Sequence, residues 1–435
     1  MPKQAVLLIH GIGEQKPMET LRSFVTAAWT TDTDQHLNHP RAGQFWSKPY
    51  PLSENFELRR LTTAENKAGF RTDFFEFYWA HLMQGTKLSH VKAWAETLLL
   101  RKPSTVPSQL RLAYWTIWVV LVAGVALSLG LFVAKPGGTT MPAWVSLILS
   151  VVVMPTIVGV LTNYVGDAAR YLYAAPTNVQ RRHAIRSAGV KVLTSLHERD
   201  YDRIIVVGHS LGSVIGYDIL YHFWAQTNTT PPTAKNPAYD ALEALETLTA
   251  KIDSGAAATA GEVHAAQRRY FNELRANGVP WRVSDFVTLG SPLAHAAILL
   301  ARDGPDLEAK LGQREIARCP PLLEDTQRHG QILRRFSYPA DQVQRTPHHA
   351  AVFGPTRWTN LYFPNRLLLW GDLIGGPLRH LLGAGIKDVP VQTKLWRGLL
   401  SHTLYWSPEP EPKQDVDVQR MAVLRQAMDL LDANG

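Results

Sequence analysis

Short continuous apolar runs alternate along this chain with stretches in which apolar residues recur at helical spacing. Ala5–Ile9 and Arg203–Val207 are such runs, and they are typical of strands buried on both faces of a parallel sheet. Further segments with the composition of strands are Phe56–Leu61, Thr72–Trp79, Trp281–Leu289 and Arg357–Phe363. The alternation predicts an α/β fold in which helices cover a mostly parallel sheet.

Helical spacing predicts three helices next to these strands. They cover Pro17–Trp29, Asn178–Arg199 and Val214–Trp224. Asn228–Gly278 differs in composition, since it starts polar and proline-rich and continues with alanine and glutamate at helical spacing. We interpret it as a helical insertion and a candidate lid. The alternative is a surface excursion without a catalytic role.

Two long uncharged runs interrupt this pattern. Leu112–Val133 and Ala143–Val165 contain no charged residue, and each reaches the roughly 20 mostly apolar residues that a membrane-spanning helix needs. The short link between them contains proline, glycine and Lys135. The pattern predicts a transmembrane hairpin with spans at about 112–133 and 143–165. The alternative is a pair of buried core helices.

The charges around the predicted hairpin indicate its orientation. Arg101, Lys102 and Arg111 precede the first run, and Arg170, Arg181 and Arg182 follow the second. The positive-inside rule then places both chain ends on the cytoplasmic side. We expect an integral membrane protein, in the inner or plasma membrane if bacterial, with a cytoplasmic catalytic domain. The lipid bilayer would be its partner through the hairpin.

Composition adds limits to this picture. The 435 residues are 46% hydrophobic and 19% charged, which excludes a disordered chain. The net charge of +8 is small for this length, so no nucleic-acid partner is expected. The one cysteine, Cys319, excludes an intrachain disulfide framework and a cysteine-based zinc cluster. We expect no metal and no organic cofactor, and the sequence does not indicate an oligomeric state.

A candidate nucleophile lies in Gly208-His209-Ser210-Leu211-Gly212, which follows the strand-like RIIVV directly and leads into the helical SVIGYDILYHFW. GxSxG alone is a weak signal, but this strand–turn–helix context is that of a nucleophile elbow. Small residues permit the tight turn, and the serine hydroxyl projects above the sheet edge. The alternative is an N-cap serine in a glycine-rich turn.

A second serine, Ser291, is a rival nucleophile in Leu289-Gly290-Ser291-Pro292-Leu293. It lacks the second glycine, and the proline after it has no N–H for an oxyanion hole. We interpret Ser291 as part of a strand-end turn near the site.

An oxyanion hole needs two donors. One is normally the N–H of the residue after the nucleophile, here Leu211, and the other comes from a loop after an early strand. His10-Gly11-Ile12-Gly13 ends the first predicted strand, and its pattern assigns the second donor to Ile12. The alternative is an ordinary turn that happens to contain His-Gly.

A general base and an orienting acid should follow the serine in chain order. His402 comes after the last strand-like segment, whereas His348 and His349 precede that segment and His380 lies in an apolar, helical stretch. We therefore expect His402 to be the base. The alternative is a structural histidine.

For the acid, Asp372 lies in a glycine-rich loop after the last strand-like segment. Asp388 is nearer to His402 in sequence, Asp303 follows the sixth strand, and Asp341 also comes earlier. We prefer Asp372 and keep the other three as alternatives.

Together, HGIG, GHSLG, VTLGSPL, GDLIGGP and SHTLYW resemble the α/β-hydrolase superfamily, and most closely its lipase-like serine esterases. The resemblance covers residues 3–30 and about 178–406 without the insertion. It implies Ser210 as nucleophile, His402 as base and Asp372 as acid. Leu211 and Ile12 would form the oxyanion hole.

The expected function is a membrane-anchored serine hydrolase that cleaves carboxylic esters, with lipid or other hydrophobic acyl esters as the leading substrates. Alternatives are an acyltransferase that uses the same acyl-enzyme and a catalytically silent hydrolase-fold scaffold. The expected organisation is an N-terminal hydrolase part (1–100), the hairpin (101–175), the core with the elbow (176–227), the insertion (228–280) and a C-terminal hydrolase part (281–435).

Overall fold

The structure is a computed structural model of the chain, which divides into two compact units. One comprises Met1–Gly11, Gln15–Trp79 and His183–Gly435, and the other comprises Ile12–Glu14 and Ala80–Arg182. The residues described are 2–11, 16–38, 41–50, 58–83, 176–328, 331–339, 344–364, 371–372, 374–392, 401–406 and 415–432, with the isolated residues Pro103, Trp115, Trp118 and Tyr171. The sheet, the core and the candidate site described below all belong to the first unit.

An eight-stranded sheet forms the centre of the first unit. Its strands in chain order are β1 (Lys3–Ile9), β2 (Phe45–Pro49), β3 (Arg59–Glu65), β4 (Arg71–Phe77), β5 (Arg203–His209) and β6 (Val283–Leu289), followed by the later strands β11 (Arg357–Tyr362) and β12 (Lys387–Pro390). Their spatial order is β12-β11-β6-β5-β1-β4-β3-β2. Within this sheet, the six neighbouring strands β12, β11, β6, β5, β1 and β4 pair in parallel. The strands β2 and β3 complete the sheet with antiparallel pairs, β3 with β4 and β2 with β3. Two separate hairpins pair β7 (Glu324–Arg328) with β8 (Gln331–Arg335) and β9 (Ser337–Pro339) with β10 (Arg345–Pro347).

The helices lie between these strands in the chain. They are α1 (Glu19–Val25), α2 (Pro176–His197), α3 (Leu211–Thr227), α4 (Asp240–Asp253), α5 (Ala260–Ala276), α6 (Ala296–Leu299), α7 (Gly304–Gly312), α8 (Arg379–Leu382) and α9 (Asp415–Met428). A π-helical turn, Thr26–Thr30, extends α1. The sequence therefore yields the α/β architecture that its alternating pattern predicts, with a mostly parallel sheet.

Alternate residues along each strand point to opposite faces of the sheet, and both faces are covered. One face packs against α1 and α9 in a cluster that includes Val6, Leu8, Ile205, Val207, Phe24 and Met428. On the other face, Tyr217 of α3 lies 5.7 Å from Trp358 of β11, measured between ring centroids. Phe286 of β6 lies 5.2 Å from the same indole. Burial on both sides explains why β1 and β5 are continuous apolar runs.

The parallel pairing brings several strand ends to one edge. Ile9 pairs with Gly208, His209 pairs with Leu289, and Leu289 pairs with Leu361. Because the strands are parallel, the loops that follow β1, β5, β6 and β11 all leave from this edge. In open α/β sheets, ligands bind outside the carboxyl ends of the strands. A functional site is therefore expected at these four loops.

Most predicted elements agree with the structure to within a few residues, and some strands were missed. Asn228–Gly278, predicted as a helical insertion, contains α4 and α5, and Thr259 caps α5 in a reciprocal capping box with Glu262. The edge strands β2 and β12 were not predicted. Both are short, and neither has a buried apolar run, because an edge strand at the solvent side of a sheet does not need one.

The prediction of a transmembrane hairpin, and with it of an integral membrane protein, is contradicted. No helix among the described residues is long and apolar enough to cross a membrane. The physical reason is plain for α2, the longest helix in the described ranges, and for the apolar α3. α2 has 22 residues but carries Arg181, Arg182, Arg186 and Lys191, and α3 is apolar but has 17 residues, below the roughly 20 that a span needs. The predicted spans at 112–133 and 143–165 lie outside the described residues, apart from Trp115 and Trp118.

Candidate active site

Ser210 occupies a strained turn between β5 and α3. Its backbone has φ 52° and ψ −129°, a conformation that costs a non-glycine residue on the order of 1–3 kcal/mol and is concentrated at functional sites. The turn is tight because α3 begins directly beside β1, and an added Cβ at Gly212 would collide with the carbonyl oxygen of Ile9. The Ser210 side chain makes no capping hydrogen bond to α3, which argues against the N-cap interpretation.

The Ser210 hydroxyl instead meets His402. Ser210 Oγ lies 2.8 Å from His402 Nε2, and His402 Nδ1 lies 2.8 Å from Asp372 Oδ2. A carboxylate only accepts hydrogen bonds, so Nδ1 carries the proton and donates it to Asp372. Nε2 is then an acceptor for the Ser210 hydroxyl. All three residues are buried, with Ser210, His402 and Asp372 exposed by 4%, 7% and 2%.

Asp372 is held in its ionised form. Burial by itself would raise the pKa of Asp372, but His402 and the backbone N–H groups of Gly375 and Ile374 outweigh it and lower the pKa below its ordinary value. Ile374 N–H donates to Oδ1 at 2.8 Å. The carboxylate can therefore stabilise a positive charge on His402.

Tyr405 is a site residue that sequence reasoning missed. Its hydroxyl donates to Asp372 Oδ2 at 3.0 Å and accepts the N–H of Phe363 at 3.2 Å. Burial, followed by the charge of Asp372, raises the pKa of Tyr405 well above its ordinary value, so the hydroxyl stays protonated and remains a donor. The aromatic run directly after His402 in SHTLYW is the signal that could have drawn attention to it.

Gly290 has no side chain that could collide with Asp372 or His402. It has φ +57° at the end of β6, and an added Cβ would lie 2.8 Å from Asp372 Oδ2 and 3.1 Å from His402 Cε1. Gly375, in the loop that carries the acid, is equally close, since its added Cβ would lie 2.7 Å from the same oxygen. Gly290 and Gly375 therefore both lie against the Asp372 carboxylate, a proximity that the sequence patterns LGSPL and LIGGP do not reveal when taken separately.

The loop after β1 contributes His10 and Gly11 to the site. His10 is buried, stacks on Trp79 at 5.1 Å between ring centroids, and accepts the Trp79 indole N–H at its carbonyl oxygen. An added Cβ at Gly11 would lie 2.9 Å from Ser210 Cβ, so Gly11 lies directly beside Ser210.

The two predicted oxyanion donors differ in what the structure describes. Ile12 and Gly13 lie outside the described residues, and the assignment of Ile12 stays a prediction. Leu211 is the first residue of α3, so its N–H belongs to the helical turn whose donors have no intrahelical partner.

The rival acids are used elsewhere. Asp388 accepts the N–H groups of Leu378 and Arg379 and the Asn360 side chain. Asp303 caps α7 by accepting the N–H of Asp306 at 2.9 Å. Asp341 lies outside the described residues. Of the candidate acids within the described residues, Asp372 is the one that contacts His402.

The rival histidines and the rival serine also have other surroundings. His348 contacts the carbonyl oxygen of Leu322, and burial lowers its pKa to about 4. His349 and His380 are exposed. Ser291 is buried, accepts the Leu293 N–H, and lies 2.7 Å from Ser213 Oγ. It is thus part of a strand-end turn next to the elbow.

A cavity of about 380 Å³ lies away from these residues, beside the far end of α3. Phe223, Trp224, Tyr270 and Trp281 line it. Trp224 is fourteen residues after Ser210, which at 1.5 Å per helical residue places the cavity roughly 20 Å from the nucleophile. The cavity is therefore separate from the candidate active site. Among the described residues, no group of three or more His, Cys, Asp or Glu side chains could hold a metal ion.

Comparison of the chain with family models, curated proteins and solved structures finds no match. The resemblance to the α/β-hydrolases therefore stays a prediction from the sequence motifs. The chemistry that the site can perform follows from its geometry. That geometry consists of a strained serine at the end of a parallel strand, an imidazole that can take its proton, and a buried carboxylate behind the imidazole. It is the arrangement that activates a serine hydroxyl for nucleophilic attack.

Proposed function

We propose that this chain is a serine hydrolase that cleaves carboxylic esters through an acyl-enzyme on Ser210. The observation that carries the proposal is the pair of 2.8 Å hydrogen bonds that links Asp372 to His402 and His402 to Ser210. Ser210 directly follows β5, and Asp372 and His402 come after β11 and β12 in the chain. A purely structural role gives no reason to bury a serine, a histidine and an aspartate in this order.

In the acylation step, Ser210 Oγ attacks the carbonyl carbon of the ester while its proton passes to His402 Nε2. Asp372 stabilises the imidazolium through the hydrogen bond from Nδ1. The carbonyl oxygen becomes an oxyanion, for which the Leu211 N–H at the start of α3 is a donor. Collapse of the intermediate breaks the bond to the leaving alcohol, which takes its proton from His402.

In the deacylation step, water attacks the acyl carbon and His402 Nε2 takes its proton. The second tetrahedral intermediate releases the carboxylic acid, and the proton returns to Ser210 Oγ. In acylation the proton passes from Ser210 through His402 to the leaving alcohol, and in deacylation it passes from water through His402 back to Ser210. The reaction is therefore balanced by these side chains and one water molecule.

The expectation of lipid esters does not carry over into the proposal. It depended on the predicted hairpin, which would have placed the site beside a bilayer, and that hairpin is contradicted. The substrate class proposed is therefore the carboxylic ester, without a preference for the acyl chain or the alcohol.

A fluorophosphonate probe tests the proposal, because it reacts with activated serines. We expect stoichiometric labelling of the folded protein on Ser210 and its loss in Ser210→Ala. Ser187→Ala, which changes an exposed serine on α2, is the control and should label like the wild type. An adduct mapped to Ser291, or no adduct on folded wild-type protein, would contradict the assignment. Turnover of a soluble p-nitrophenyl ester should follow the labelling in all three proteins.

A further inference from the structure

The histidine of the GHSLG motif contacts the loop that carries the proposed base. His209 is the last residue of β5 and directly precedes Ser210. Its Nε2 lies 2.9 Å from the backbone carbonyl oxygen of His402. A carbonyl oxygen only accepts, so Nε2 carries a proton and donates it. The strand that holds the nucleophile is thereby bonded to the main chain of the proposed base.

Several side-chain contacts hold the segment that carries His402. Within the described residues 401–406, the backbone hydrogen bond runs from the Leu404 N–H to Ser401 O, inside the segment itself. Contacts that join the segment to its surroundings include those of His402 with Asp372, of Tyr405 with Asp372 and Phe363, and of the His402 carbonyl with His209. Tyr405 and Trp406 also pack in the hydrophobic core. The bond from His209 is the one among these that holds the main chain of His402.

The imidazole of His209 is suited to a permanent, uncharged contact. The residue as a whole is only partly buried, but its ring lies 4.7 Å from the Trp406 ring in an edge-on arrangement and 5.8 Å from the Tyr405 ring. Desolvation, followed by the charge on His402, lowers the pKa of His209 to about 3. The ring is therefore a weak base that stays neutral near pH 7, and its Nε2–H remains a donor to the His402 carbonyl.

His209 is also fixed on its other side. Its backbone pairs with Leu289 in the β5–β6 ladder, and an added Cβ at Gly11 would lie 3.0 Å from its Nδ1. The ring thus lies between the loop after β1 and the loop of the base. Because His209 belongs to a central strand, its ring can fix both loops relative to that strand.

We propose that His209 is a positioning residue. By holding the His402 main chain, it keeps His402 Nε2 within hydrogen-bond distance of Ser210 Oγ. The proposal deepens the proposed function and rests on it. Displacement of a reacting group by about 1 Å can cost roughly 10²-fold in rate, so loss of this bond should reduce turnover while substrate binding is retained. The effect acts through His402 and should vanish when His402 is absent.

The kinetic test compares His209→Gln, which keeps an N–H donor at a similar reach, with His209→Phe, which keeps a ring and loses the donor. We expect kcat within a few-fold of wild type for Gln and a fall of about 10²-fold for Phe, with KM changed by less than about threefold. His380→Gln, at an exposed histidine, is the matched control and should behave like wild type. His209→Met, which also lacks a donor, replaces Phe if that variant does not fold.

A double-mutant cycle separates positioning from general damage. In a His402→Ala background, His209→Phe should leave the residual rate unchanged. Equal losses in both backgrounds, a folded His209→Phe with wild-type kcat, or a folded His209→Gln as slow as Phe would each overturn the proposal.

A spectroscopic measurement keeps this result distinct from failure of the proposed function. The proton between His402 Nδ1 and Asp372 should give a low-field proton resonance in wild type and in His209→Gln. It should shift or disappear through exchange in His209→Phe. Absence of fluorophosphonate labelling on wild type would contradict the hydrolase proposal, whereas a resonance unaffected by His209→Phe would overturn the positioning role of His209.

Discussion

Tyr405 donates its phenolic hydrogen to Asp372 Oδ2 at 3.0 Å, the same oxygen that receives the Nδ1–H of His402. A carboxylate oxygen that accepts a second hydrogen bond is a weaker base, because the bond stabilises its charge. Tyr405 therefore adjusts how strongly Asp372 holds a proton on the imidazole. It also ties the acid to Phe363, which directly follows β11.

Tyr405→Phe should move the acidic limb of the kcat/KM profile to higher pH, by up to about one unit, because the more basic carboxylate stabilises the protonated imidazole. The buried Phe363 N–H also loses its acceptor, which should lower the free energy of unfolding by about 1–3 kcal/mol. Measurement of kcat/KM from pH 5 to 9 checks the shift. Tyr221→Phe, which removes a hydroxyl bonded to Arg314 O far along α3, should leave the limb in place. A Tyr405→Phe profile identical to wild type would count against the tuning role.

Asp372→Asn should reduce turnover by orders of magnitude, up to about 10⁴-fold in the best-studied triad, because the amide favours the wrong tautomer of the imidazole. Asp303→Asn and Asp388→Asn should change turnover far less, and an Asn at position 303 can still cap α7. The three variants are compared on one soluble ester. If Asp372 only organised its own loop through Ile374, Asp372→Asn would keep nearly full activity, and a collapse in another variant would move the acid there.

Gly290→Ala should damage both folding and activity. The new Cβ would lie 2.8 Å from Asp372 Oδ2 at a φ of +57°, which costs about 1–3 kcal/mol in backbone strain and displaces the acid. We expect a lower melting temperature and a kcat at least about tenfold below wild type. Gly312→Ala is the matched control, since an added Cβ there meets nothing within 4 Å. Equal behaviour of the two variants would mean that the pocket around Asp372 is not tightly packed.

Glu76 should make stability fall as the pH rises. Burial raises the pKa of Glu76 to about 7 from 4.5, although the Met18 N–H opposes the shift. Between about pH 4.5 and 7 the folded chain keeps a proton that the unfolded chain has released, so unfolding becomes easier across this window. Glu76→Gln removes this titration and keeps an acceptor for Met18. At pH 8 it should be more stable than wild type by up to about 3 kcal/mol, and at pH 4.5 nearly equal to it.

Urea unfolding of wild type and Glu76→Gln at pH 4.5 and 8 measures the Glu76 effect. Glu19→Gln, at an exposed glutamate in the first turn of α1, is the control and should show the same difference from wild type at both pH values. A stability difference for Glu76→Gln that does not depend on pH would mean that the carboxyl is ionised throughout.

Several features of this chain are encoded locally and were therefore predictable. β1 and β5 are apolar runs because both faces of a central parallel strand are buried. The elbow is a contiguous strand, turn and helix, so its glycines and Ser210 can be recognised without knowledge of any partner. The edge strand β2 lacks such a run, and its identity depends on pairing with β3, which is not visible in its own residues.

Local apolarity was also the source of the failed prediction. The two uncharged runs satisfy the length rule for spanning helices, yet the helices of the described residues do not. A hydropathy pattern records only that a segment avoids water. It does not distinguish a lipid bilayer from the apolar core of a protein.

By itself, the sequence determined the α/β class, the elbow with Ser210, and a short set of histidines and aspartates for the base and the acid. It also put His402 and Asp372 first in that set. Only the tertiary structure shows that their side chains meet at Ser210, and only it reveals Tyr405, Gly290 and the contact of His209 with the His402 carbonyl. Ser210 and His402 are 192 residues apart, and His402 and Asp372 are 30 apart. The physical reason is that periodicity specifies which side of an element is buried, whereas the distance between loops from different strands is set by sheet order and register.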